Sequence, residues 1–111
     1  MDIKALKAIA CESRLKILEY LKDPTAHFES QDGFDVAVDG VWNKLIARKL
    51  AISQESVTAH MRCLVDAGLV KVSKVGTHRL YTRDHDRITT VLRETATVLG
   101  ATFRNLETDV K

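Results

Sequence analysis

The stretch from Trp42 to Leu69, WNKLIARKLAISQESVTAHMRCLVDAGL, decides the fold of this 111-residue chain. Its apolar residues recur at helical spacing on both sides of a short break at 51–52, which predicts a helix, a tight turn and a second helix. Ser53 is a typical N-cap residue, and Gly68 is typical of the position just after a helix. The stretch therefore predicts a helix-turn-helix with its second helix at about 53–67.

The second predicted helix begins with small and polar side chains rather than with core residues. Such side chains reach base edges when the start of a helix lies in the major groove of DNA. Gln54 can pair bidentately with adenine, and Arg62 on the exposed face can reach guanine or a phosphate. We therefore predict that the DNA-contacting residues of this helix are Ser53, Gln54, Ser56, Thr58, His60 and Arg62.

Two of these residues also fit simpler interpretations. Ser53 is an N-cap whatever else it does, because its hydroxyl can accept from a backbone N–H of the first turn. His60 also fits a half-buried position beside Val57 and Met61, which lie on the core face of the helix. Both interpretations stay open from the sequence.

Two helices are predicted before this motif. Apolar residues recur at helical spacing over about 2–11 and again over 15–21. Ser13 offers an N-cap for the second of these helices, and Asp23 followed by Pro24 ends it, because proline cannot continue a helix. The first 24 residues therefore predict a pair of helices.

The segment between this helical pair and the motif is the least regular part of the chain. Apolar residues alternate with small or acidic ones over 33–40, which predicts a short strand that could extend a later hairpin. The first helix of the motif is predicted over 41–50, with Val41 and Trp42 on its inner face. The alternating apolar residues are Phe34, Val36 and Val38.

After the motif, the pattern predicts a hairpin and then a long helix. Apolar and polar residues alternate over about 69–82 around a turn near Gly76. Asp84 or Asp86 then begins a helix that we predict over about 85–107. Its apolar stripe is wider than a small core can cover, which indicates a partner subunit. That stripe comprises Ile88, Val91, Leu92, Val98, Leu99, Phe103 and Leu106.

Charge is unevenly distributed along the chain, although the net charge is only +2. Every charged residue over 23–43 is acidic, and every charged residue over 67–83 is basic. A basic hairpin beside the second helix of the motif favours contact with DNA phosphates. We predict Lys74, His78 and Arg79 as the contacting residues of the hairpin; a solvated charged hairpin is the alternative interpretation.

In this order, the elements predict a mainly α domain with a small β-hairpin (α+β), a winged helix-turn-helix that spans residues 1–111. Three segments resemble the ArsR/SmtB-type repressors: LKAIACESRLKILEYL at 6–21, ISQESVTAHMRCLVDAGLV at 52–70 and LYTRDHD at 80–86. The resemblance implies a homodimeric transcriptional repressor on double-stranded DNA. It also implies that the helices at about 2–11 and 85–107 form the dimer interface, and a pseudo-palindromic operator follows from the two-fold symmetry.

The chain departs from that family at its metal sites. The positions of the cysteine pair used by the family's best-known site hold Trp42 and Lys44, which are poor ligands for a thiophilic metal. A second family site would begin at Asp84, but two of its remaining ligand positions fall on Thr97 and Gly100. We therefore predict no metal site and no cofactor, and the sequence does not identify an effector.

The sequence favours regulation over catalysis. It contains no nucleophile elbow, phosphate loop, HExxH motif or cysteine-rich cluster, so no enzyme activity and no catalytic residue is predicted. No apolar run reaches membrane-span length, and we expect a cytoplasmic protein without a membrane partner.

Two alternative functions remain open at this stage. The first is a winged-helix protein-interaction module without DNA binding, which the acidic segment and Glu55 favour. The second is a repressor with a non-standard sensor, either redox-active at Cys11 or Cys63 or metal-binding around Asp84–Asp86. For the cysteines, two ordinary small apolar residues are the simpler interpretation.

Overall fold

The computed structural model describes residues 1–30 and 33–102 of the chain. In this part of the chain, helices precede and follow a small antiparallel sheet. The elements are α1 (Ile3–Ile9), α2 (Glu12–Lys22), α3 (Pro24–His27), β1 (Val41–Trp42), α4 (Asn43–Leu50), α5 (Gln54–Asp66), β2 (Val70–Val75), β3 (His78–Arg83) and α6 (His85–Leu99).

The sheet has the order β1-β3-β2 and is antiparallel throughout. Strands β2 and β3 form the predicted hairpin, called the wing below. Val75 pairs with His78 across a two-residue turn, and Gly76 in this turn has a φ of +61°. Strand β1 is the third strand and forms one edge of the sheet: Val41 pairs with Tyr81, and Trp42 pairs with Leu80. The predicted fold class, a mainly α winged helix-turn-helix with a small β-hairpin, is confirmed.

Helix α5 is fixed at both ends and along one face. The Ser53 hydroxyl accepts from the Ser56 N–H at 3.0 Å, which caps the start of the helix. At the other end the N–H groups of Gly68 and Leu69 donate back to carbonyls of the last turn, and Gly68 takes a left-handed φ of +76°. Three side chains on its inner face are fully buried, and this anchors the helix to the core. They are Val57, Met61 and Leu64.

The predicted strand over 33–40 is wrong. Phe34 makes only an isolated bridge, and the chain turns tightly over 36–39. Two carboxylates cause this turn: Asp35 accepts from the Ala37 N–H, and Asp39 accepts from the Asp35 N–H, both at 2.8 Å. Aspartate side chains bonded to nearby amides offer the backbone an alternative to a strand ladder. The alternation of apolar residues was therefore not a strand signal.

The edge of the sheet is formed instead by residues that were predicted to be helical. Val41 and Trp42 form β1, so α4 begins at Asn43 rather than at Val41. Both strand residues are buried, and their backbones pair with β3. Backbone pairing with β3 decides the conformation of these two residues, although their apolar spacing is that of a helix. Spacing along the chain does not reveal pairing with a strand that is distant in sequence.

The predicted boundaries of two other helices are also wrong. Helix α2 begins at Glu12 with Cys11 at its N-cap, so Ser13 lies inside the helix. A tight link, with the Cys11 N–H bonded to the Ile9 carbonyl at 2.7 Å, starts the helix earlier than the capping pattern indicates. Helix α6 ends at Leu99, and not near 107, because Gly100 adopts a left-handed φ of +73°. The predicted apolar positions Phe103 and Leu106 lie outside the described residues.

Candidate nucleic-acid interface

The first turns of α5 are exposed, and their polar side chains bond mainly to one another and to α4. Ser53 donates to the Ser56 hydroxyl at 2.9 Å, in addition to capping the helix. The Thr58 hydroxyl donates to the Gln54 carbonyl at 2.9 Å and accepts from the Asn43 amide at 3.2 Å. The Gln54 side chain is exposed. This network fixes the backbone from which Gln54 projects.

An open cleft of about 400 Å³ lies between the start of α4, the exposed face of α5 and the turn of the wing. It brings together Gln54, Thr58, Arg62, His78 and Arg79, which are five of the predicted DNA-contacting residues. Its lining is rich in hydrogen-bond donors and cations and contains no carboxylate. The complete lining is Trp42, Asn43, Lys44, Gln54, Thr58, Arg62, Thr77, His78 and Arg79.

An aromatic stack holds the start of β3 against Trp42, the last residue of β1 before α4 begins. The imidazole of His78 lies parallel to the indole of Trp42, with ring centroids 4.4 Å apart and an interplanar angle of 5°. The Lys44 ammonium lies 4.5 Å from the centroid of the same indole. Arg79 lines the cleft itself, and Lys74 lies with Arg62 and Arg79 on an adjoining hollow of about 210 Å³. All three predicted wing residues therefore lie beside α5.

Arg83 is basic but does not belong to this surface. Its guanidinium donates to the Leu18 carbonyl at 3.0 Å and thereby ties the end of β3 to α2. Burial lowers the pKa of Arg83, although an arginine remains a cation at neutral pH. Part of the basic run over 67–83 therefore stabilises the fold instead of facing a ligand.

His60 is separated from the other predicted contacts. Its Nδ1 atom lies 3.1 Å from Nη1 of Arg14, whose Nε also donates to the Ala8 carbonyl at 2.6 Å. Since arginine only donates, Nδ1 must be the acceptor, and the imidazole must be neutral. Burial, and then the charge of Arg14, lower the pKa of His60. The structure thus favours the half-buried interpretation and links α5 to the end of α1.

This geometry predicts a pH-dependent loss of stability that originates at His60. Because the folded pKa lies below the ordinary value of about 6.5, the unfolded chain binds the proton more readily as the pH falls below 6.5. The free energy of unfolding should therefore decrease between the unfolded and the folded pKa and should not change above them. Urea unfolding at a series of pH values should show a shallower decline for His60→Gln than for the unsubstituted chain, and equal declines would contradict this origin.

Sequence reasoning missed four residues of the cleft: Trp42, Asn43, Lys44 and Thr77. Trp42 was assigned to a helix face, and Lys44 was considered only as a poor metal ligand. Trp42, Asn43 and Lys44 lie at the start of the helix-turn-helix stretch, and Thr77 lies in the turn of the hairpin. The pairing of β1 with β3, which brings them to the wing, is a contact about 40 residues away along the chain.

The suggested sensor sites gain no support from the geometry. Within residues 1–30 and 33–102, no group of three or more His, Cys, Asp or Glu side chains lies close enough together to hold a metal ion. The Asp84 carboxylate instead caps α6 by accepting from the Arg87 N–H at 3.0 Å. Cys11, at the N-cap of α2, and Cys63, on α5, are both free and half-exposed. No described helix is both long enough and apolar enough to cross a membrane.

The two helices α4 and α5, the tight turn between them and the β2–β3 wing define a winged helix-turn-helix protein. No protein-family model matches the chain. The HTH-type transcriptional regulator YbzH of Bacillus subtilis (strain 168) is 37% identical over 86 residues, which are 78% of this chain and 86% of that protein. The chain therefore belongs to the helix-turn-helix transcriptional regulators, the broader class that its resemblance to the ArsR/SmtB-type repressors implied.

Solved structures share the fold. An ArsR-like transcriptional regulator from Rhodococcus sp. RHA1 superposes with a TM-score of 0.62 at 22% identity, over 98% of this chain and 88% of that one. The homodimeric winged helix-turn-helix DNA-binding domain of Mb0332 from Mycobacterium bovis superposes with a TM-score of 0.58 at 19% identity, over 88% of this chain and 77% of that one.

Proposed function

We propose that the protein is a sequence-specific DNA-binding repressor that acts as a homodimer in the cytoplasm. The observation that carries this proposal is the cleft between α4, α5 and the wing, whose lining includes three cations and no carboxylate. Helix α5 enters the major groove, where Gln54 and Arg62 read bases, and the wing contacts the adjacent backbone. Ser53, Ser56, Thr58, Lys74, His78 and Arg79 position the protein on the duplex.

Exposed apolar residues on the first and last helices support the dimer. Ile3 on α1 is 51% exposed, and Val98 and Leu99 at the end of α6 are 62% and 72% exposed. A groove of about 530 Å³ between α2 and α6 has an apolar lining that includes Leu15 and Leu92. Apolar surface of this kind is characteristic of an interface. The M. bovis domain with the same fold is homodimeric, which supports the same assembly here.

Selection of bound sequences from a random pool of duplex DNA tests the proposal. We expect a pseudo-palindrome whose half-sites are about one helical turn, roughly 10 bp, apart or a multiple of it, because a two-fold dimer presents two copies of α5. Sedimentation of the protein with the selected duplex should give two chains per duplex. A pool that shows no enrichment would contradict DNA reading and favour the protein-interaction module.

A further inference from the structure

The cleft between α4, α5 and the wing contains more positive charge than base reading requires. Lys44, Arg62 and Arg79 line it from three different elements, and none of its lining residues is acidic. Base edges present both donors and acceptors, whereas three cations converging on one cleft without a carboxylate favour an anion. The volume of about 400 Å³ also exceeds that of one base-contacting side chain and leaves space for a ligand.

Lys44 is placed and oriented by its neighbours. Its ammonium lies over the Trp42 indole at 4.5 Å, and the His78 ring of the wing stacks parallel to the same indole. Trp42 is buried, with a relative exposure of 9%. Its Nε1–H is buried without an acceptor among the described residues. Oδ1 of Asn43, another lining residue, is an acceptor that is also buried without a partner among the described residues. Buried polar groups without partners are costly, so the cleft wall has two hydrogen bonds left to make, one as a donor and one as an acceptor.

We propose that this cleft binds a phosphate group, with Lys44, Arg62 and Arg79 as its charged ligands and the Trp42 indole as a neutral donor. Two sources supply this chemistry: the DNA backbone, which rests on the proposed function, and a free oligophosphate compound. Because Arg62 and Arg79 serve both ligands, a free compound in the cleft displaces DNA. The cleft then regulates the DNA-reading surface by direct competition.

Trp42 is the only tryptophan in the chain, so its fluorescence reports on the cleft. We expect a saturable change in emission when the full chain is titrated with tripolyphosphate at constant ionic strength, with calorimetry as a second measurement. Lys44→Gln should weaken this binding about tenfold or more, the usual effect of losing one charge-assisted hydrogen bond. Lys49→Gln removes the same charge from the same helix outside the cleft and should change nothing.

A second titration, with the selected duplex, distinguishes the two sources. Displacement of the duplex by tripolyphosphate supports competition, and Lys44-dependent binding of the duplex alone assigns the site to the DNA backbone. If tripolyphosphate binds with Lys44 dependence and the random pool yields no enriched duplex, the phosphate site stands and the proposed function fails. If neither ligand depends on Lys44, the phosphate site is overturned, even where the duplex binds normally and the proposed function stands.

Discussion

Replacing Gln54 and Arg62 together with alanine should abolish specific DNA binding and leave the protein folded. Both side chains are exposed on α5 and line the cleft, so their removal leaves the core intact. A good bidentate base contact contributes about 1–3 kcal/mol of discrimination, and a dimer would lose two contacts in each half-site. We therefore expect at least about a 100-fold loss of affinity for the selected operator.

The measurement is a fluorescence anisotropy titration with the operator duplex and with a scrambled duplex of the same length. Operator binding by Gln54→Ala/Arg62→Ala should fall to the level of the scrambled duplex, which the remaining cations still attract. Arg48→Ala is the matched control, since it removes one positive charge from an exposed position on α4 outside the cleft. Equal losses in both variants would indicate a general charge effect instead of base reading.

The parts of the fold that the sequence predicted well depend on neighbours in the chain. The Ser53 cap, the glycine after α5 and the turn at Gly76 each require only a few adjacent residues, and all three are present in the structure. The strand predicted over 33–40 failed because the carboxylates of Asp35 and Asp39 bond to local amides. Periodicity of apolar residues does not register such hydrogen bonds.

The composition of the candidate site depended on contacts distant in sequence, and these were harder to predict. Arg14 lies 46 residues before His60, yet it occupies Nδ1 of the imidazole that the sequence predicted as a DNA contact. Trp42 and His78 are 36 residues apart and stack because β1 pairs with β3. Residue types on α5 indicated which side chains are exposed, but only the tertiary structure shows which of them share a cleft.

Gly40→Ala should cause the largest loss of stability among single substitutions near the site. Gly40 has a φ of +111°, which side chains rarely adopt, and it lies directly before β1. An added Cβ would lie 3.0 Å from the Tyr81 carbonyl oxygen and 3.1 Å from the Tyr81 nitrogen. These are backbone atoms of the central strand, so they cannot rotate away. Backbone strain and displacement together should cost roughly 3–5 kcal/mol.

Urea unfolding followed by Trp42 emission measures this loss and its consequence for the site. Gly76→Ala is the matched control: it also has a positive φ, of +61°, but no atom lies within 4 Å of the added Cβ. It should cost only about 1–2 kcal/mol. Because Gly40→Ala separates β1 from β3, it should also loosen the Trp42–His78 stack and weaken operator binding at temperatures where the chain is folded. Equal stability of the two variants would show that β1 can shift without cost, and the wing would then not depend on its contact with β1.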